Sequence, residues 1–94
     1  MAKSTMKLML VEWVDSSSTR QPWREVGAFG PEAAEPLRCQ TVGWLMASHQ
    51  NGITLAMNIG YEAGQHPHTA GNDMTIPRVA IRRMVHLPWK KPHG

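Results

Sequence analysis

Apolar and polar residues alternate with a period of two in several short runs of this chain. No stretch of useful length repeats them at helical spacing. In KLMLVEWV (7–14), Met9, Val11 and Trp13 share one face, and Leu8, Leu10, Glu12 and Val14 the other. This run predicts a first strand, ended by Asp15-Ser16-Ser17-Ser18, whose side chains bond nearby backbone and favour a turn. LRCQTVGWLMAS (37–48) predicts a long second strand, with Cys39, Thr41, Gly43, Leu45 and Ala47 opposite Gln40, Val42, Trp44 and Met46. Gly43 in mid-strand marks a bulge, a sharp bend or the close approach of another backbone. His49-Gln50-Asn51-Gly52 then leads into ITLAMNI (53–59), and Asn-Gly before an apolar strand is a strong hairpin signal. In that third strand Ile53, Leu55, Met57 and Ile59 are expected to point inward together.

A short strand MTIP (74–77), a tight helical turn over RVA (78–80) and a last strand IRRMVHL (81–87) complete the series. Ile81, Val85 and Leu87 are expected on the inner face of the last strand. The same alternation drops Arg83 among them, which requires a bulge that re-aims it or a partner in a closed site. Two long loops separate the strands. Residues 19–36 carry Pro22, Pro31, Pro36, Gly27 and Gly30, which leave room for no more than a turn or two, such as one from Pro31 to Glu35. Residues 60–73, with three glycines and His66-Pro67-His68, read as a second polar loop. The expectation is one all-β domain over 1–94, a small five-stranded barrel with two long loops. Its ordered core spans about 6–88, with 1–5 and 89–94 loose.

Composition narrows the function classes. A formal charge of +3 on 94 residues is modest, but five of the ten Lys and Arg (Arg78, Arg82, Arg83, Lys90, Lys91) fall in the last seventeen residues. Such an excess attracts phosphates, yet it is too small and too sparse in the loops to favour nucleic acid as a partner. The single cysteine, Cys39, excludes an intrachain disulfide and fits a reducing compartment. The run Leu8–Val14 is interrupted by Glu12 and is too short for a bilayer span, and no secretory signal is expected. A cytoplasmic protein with no membrane association follows. A thin core in a chain this short also makes a homo-oligomer the expected state.

Two resemblances add to this. Ile76-Pro77-x-x-x-Ile81 resembles the single tight turn by which SH3-like barrels join their fourth and fifth strands. More broadly, Trp13, Asp15-Ser16, Trp23, Cys39-x-x-Val42-Gly43-Trp44-Leu45, Thr54-Leu55-Ala56, Met74-Thr75-Ile76-Pro77 and Ile81 are spaced as in a family of short bacteriophage and prophage proteins. That resemblance implies a viral origin, an infected bacterial host and a small barrel, but no particular activity. Short phage proteins commonly counter host defence by occluding a host protein or by trapping a nucleotide immune signal.

The chemistry legible in the residues is that of binding. No nucleophile-elbow motif is present, and a lone strand cysteine is ordinarily a small buried apolar residue, so no catalytic residue is expected. His66 and His68 are two ligands where zinc takes three or four, so neither a metal nor a cofactor is expected. The ligand-binding candidates are Asp15 and Ser16 for a ribose, Trp23 for a base, and Arg78, Arg82 and Arg83 for phosphate. Among the four tryptophans, Trp13 and Trp44 are expected to pack, and Trp23 and Trp89 to meet a partner. The expected function is sequestration of an anionic nucleotide-like molecule. The alternative is direct occlusion of a host defence protein.

Overall fold

The computed structural model of the chain describes residues 6–18, 23–31, 35–63 and 66–90. It is all-β. Five strands, β1 (Leu8–Asp15), β2 (Leu37–Ser48), β3 (Gly52–Tyr61), β4 (Pro67–Pro77) and β5 (Ile81–Leu87), are accompanied by 3₁₀ turns at Val26–Ala28 and Arg78–Ala80. All pairings are antiparallel within one sheet of order β4-β3-β2-β1-β5. No helix among the described residues is long and apolar enough to cross a membrane.

β2 belongs to two halves of the sheet. Its first part, Leu37 to Trp44, pairs with β1, and its last part, Trp44 to Ser48, pairs with β3. The change of partner falls beside Gly43. A Cβ there would lie 3.0 Å from both the Ala56 carbonyl oxygen and the Leu55 Cβ, so the absence of a side chain lets the neighbouring backbone approach. A register shift between Leu45 and Ala47 follows within the same bend. The β2–β3 turn is closed by His49 N–H donating to the Gly52 carbonyl (2.9 Å).

Curling the sheet brings its distant strands onto one core. Met9 and Val11 of β1, Ile53 and Leu55 of β3 and Ile76 of β4 form the buried cluster, with Trp13, Leu45, Ala80, Ile81 and Met84 packed against it. The Arg78–Ala80 turn carries the chain from β4 to β5. It is tied to the β2–β3 turn by Arg78 N–H donating to the Asn51 carbonyl (2.9 Å). The Arg78 side chain adds bonds to the His49 carbonyl (3.0 Å) and the Ser48 hydroxyl (2.9 Å).

Several expectations are corrected. Most of residues 60–73 are strand instead of loop: β3 runs on to Tyr61 and β4 begins at Pro67, with pairs Asn58↔Gly71, Ile59↔Ala70 and Gly60↔Thr69. The two strands form a long hairpin, and only one long interstrand loop remains, between β1 and β2. Beyond Ala56, β3 has left β2, so this hairpin is two-stranded and projects as an arm. Asn72, opposite the point where β3 loses its neighbour, adopts φ 55°, a left-handed conformation that asparagine tolerates better than most residues. Met57 lies on the arm at 69% exposure instead of in the core, because no strand covers it there. The molecule measures 62 × 22 × 21 Å, with a radius of gyration of 18.3 Å against about 12 Å for a compact chain of this length.

β5 is re-aimed by a bulge. Glu12 pairs with Arg83 but Trp13 pairs with Ile81, leaving Arg82 as the extra residue. Ile81 and Met84 therefore point to the core, whereas Val85 and Leu87 join Arg83 on the outer face, opposite Leu10, Leu8 and Glu12. Trp89 is held in place: its indole N–H donates to the Met6 carbonyl (2.9 Å), and its ring meets Trp44 edge-on at 4.6 Å. Of the turn expected at 31–35, residues 32–34 lie outside the described residues, as do the expected loose ends 1–5 and 91–94.

Candidate functional site

The end of β1 and the start of β2 frame an open cleft of about 740 Å³. It is lined by Glu12, Trp13, Val14, Glu35, Pro36, Arg38, Cys39, Gln40 and, from the β5 bulge, Arg82. That size suits a small organic ligand. Local sequence builds each wall. Because successive strand residues point to opposite faces, β1 offers Trp13 inward, while Glu12 and Val14 look out beside Gln40 and Arg38 of the paired β2. The bulge frees Arg82 from the strand alternation, and its guanidinium donates to the Val79 carbonyl (3.0 Å).

Glu12 is the electrostatic centre of the outer wall. Its carboxylate accepts from Gln40 Nε2 (2.9 Å) and from Arg83 Nε (2.7 Å). The Gln40 hydrogen bond and then the Arg83 hydrogen bond hold its pKa below the usual glutamate value, with the Arg83 charge adding to them. Arg83 is thereby paired internally. Among the described residues the only ion pairs are Glu12–Arg83 and, on the arm, Glu62–His68 (3.6 Å), the latter only when His68 is protonated. Arg38 and Arg82 thus face the cleft with no described carboxylate at ion-pair distance.

The sequence candidates are distributed accordingly. Arg82 lines the cleft; Arg83 sits beside it but is neutralised by Glu12; Arg78 is engaged with Ser48 and His49 at the β2–β3 turn. Asp15 accepts from the Ser16 backbone N–H (2.8 Å), which is a turn cap. The loop base there is pinned by the Ser17 hydroxyl donating to the Glu35 carbonyl (3.0 Å). Trp23 is 90% exposed on the β1–β2 loop, and the aromatic wall of the cleft is Trp13, whose indole N–H is already given to Thr41 Oγ1 (2.9 Å).

Glu12, Arg38 and Gln40 line the cleft and were not among the sequence candidates. The one available signal was Glu12 itself, a lone charge inside an apolar strand. Cys39 directs its thiol toward the Leu37 carbonyl (3.8 Å). Among the described residues, no group of three or more His, Cys, Asp or Glu side chains is placed to hold a metal ion. No protein-family model, curated protein or solved structure matches the chain.

Proposed function

We propose that this protein acts by binding, without chemistry of its own, and that its cleft captures an anionic molecule of nucleotide size. One observation carries the reading. Arg38 and Arg82 both line the cleft with no described carboxylate at ion-pair distance, beside Glu35 and a Glu12 already satisfied by Arg83 and Gln40. A planar guanidinium suits a phosphate oxygen pair, and two of them across a cleft suit a diphosphate or a bridged dinucleotide. Trp13 supplies a wall against which a base can lie. The resemblance to short phage proteins adds a setting: an infected bacterium, with a nucleotide immune signal as the molecule withheld from its receptor.

Isothermal titration calorimetry against a panel of cyclic and linear nucleotide second messengers tests this. Binding is expected with at least one of them. Arg38→Ala and Arg82→Ala should each weaken it by about tenfold or more, since a hydrogen bond to a charged group contributes about 1.5–3 kcal/mol. The absence of heat with every member, or affinity indifferent to both arginines, would defeat the reading. A second reading, occlusion of a host defence protein, has one observation in its favour. Trp23, Val26 and Phe29 are exposed within a single short segment, which Arg24 braces by lying 4.3 Å over the Phe29 ring. Recovery of a stoichiometric host protein by wild type but not by Trp23→Ala would support that reading instead.

A further inference from the structure

The projecting arm is anomalous as an isolated object. A two-stranded hairpin standing alone in water is marginally stable. This one also continues the core-facing side of the sheet outward, presenting Met57 at 69% and Met74 at 43% exposure beside Ile59 and Tyr61. The chain exposes 7681 Å². A compact monomer of its mass exposes about 5,400 Å². The excess, about 2,300 Å², is shared by the arm and the exposed β1–β2 loop residues Trp23, Val26 and Phe29, and a standard interface takes only roughly 800 Å² from each partner.

A receiving surface exists on the same chain. On the outer face of β5–β1–β2, Leu10 lies between Val42 and Val85, and Leu8 between Trp44 and Leu87. None of these side chains is fully buried, and Val42 is 50% exposed. Charge distinguishes the two surfaces. The arm itself, residues 57–73, contains two acids (Glu62, Asp73) and no Lys or Arg, whereas the rest of the chain holds all ten cations and five acids. Two arms repel each other weakly, and an arm is attracted to the basic body of another molecule.

We propose that the β3–β4 arm of each molecule packs on the outer face of β5–β1–β2 of a second copy, giving a reciprocal two-fold dimer. This contact lies on the same face as the cleft residues Glu12 and Gln40 but uses Leu8, Leu10, Val42 and Val85, which do not line the cleft, and its tests do not depend on ligand binding. Light scattering on the full chain should report twice the 10.5 kDa chain mass at micromolar concentration. Met57→Lys on the arm and Val42→Lys on the receiving face should each weaken association at least tenfold. Val79→Lys, on neither surface though Val79 is 88% exposed, should leave the dimer intact. All three sites are exposed, and far-UV spectra matching wild type confirm folding. Arm amides should also lose hydrogen-exchange protection on dilution of the wild type. A wild-type mass of one chain, a dimeric Met57→Lys variant, or arm protection independent of concentration overturns the proposal. A monomeric Met57→Lys alongside a dimeric Val42→Lys also overturns it, by showing that the arms meet each other.

Discussion

Gly43→Ala puts the bend in β2 to a direct test. Two effects oppose one another. Replacing glycine in a strand removes backbone freedom from the unfolded chain and stabilises the fold by about 0.5–1 kcal/mol. Against this, the new methyl would stand 3.0 Å from the Ala56 carbonyl oxygen and 3.0 Å from the Leu55 Cβ. Neither atom can rotate away, because one is backbone of the adjacent strand and the other is attached directly to it. Overpacking of this kind costs about 1–3 kcal/mol, so the crowding wins and the net loss is of the order of 1 kcal/mol. For a domain of this size that corresponds to a fall in Tm of about 4–8 °C. Thermal and urea unfolding followed by circular dichroism measure it. Gly27→Ala is the matched control, since a Cβ at Gly27 meets nothing within 4 Å and only the entropic gain remains. Should Gly43→Ala prove as stable as wild type, the close approach of β2 and β3 would not be what fixes glycine there.

Three further outcomes follow from the same structure. Ile76→Ala deletes a side chain only 1% exposed from a cluster of five buried residues, and should cost about 2–5 kcal/mol by urea denaturation. Glu12→Gln should flatten the acid limb of the stability profile. The folded-state pKa of Glu12 is depressed, so its contribution is fully present above the unfolded value near 4.5 and is lost as pH falls through the lower folded value. Melting curves from neutral to acid pH should therefore converge for wild type and variant at the acid end. Thr41→Val removes the acceptor of the part-buried Trp13 indole and should cost about 1 kcal/mol, together with a shift in tryptophan fluorescence.

What the sequence determined by itself was whatever is decided locally. β2 spans the expected 37–48, the turn 78–80 and the strand 81–87 lie where they were read, and His49–Gly52 forms the β2–β3 turn. These follow from one-sided burial, which imposes an alternation, and from Asn-Gly and Pro, which restrict the backbone within a few residues. Gly43 likewise marked a bulge, a bend or a close contact without deciding among them, and the packing of β3 shows the close contact.

Only the tertiary structure decided the rest. Residues 60–73 carry no alternation because the arm has no covered face, so the pairing with β3 that makes them strand left no periodic trace in the sequence. The Arg82 bulge transfers Val85 and Leu87 to the outer face, because a register shift depends on how β5 meets β1 and not on β5 alone. Trp89 is fixed by Trp44 and by the Met6 carbonyl, both remote from it in the chain. The cleft draws on β1, β2 and β5 together, and the same packing that joins Glu12 to Arg83 leaves Arg38 and Arg82 as its cations.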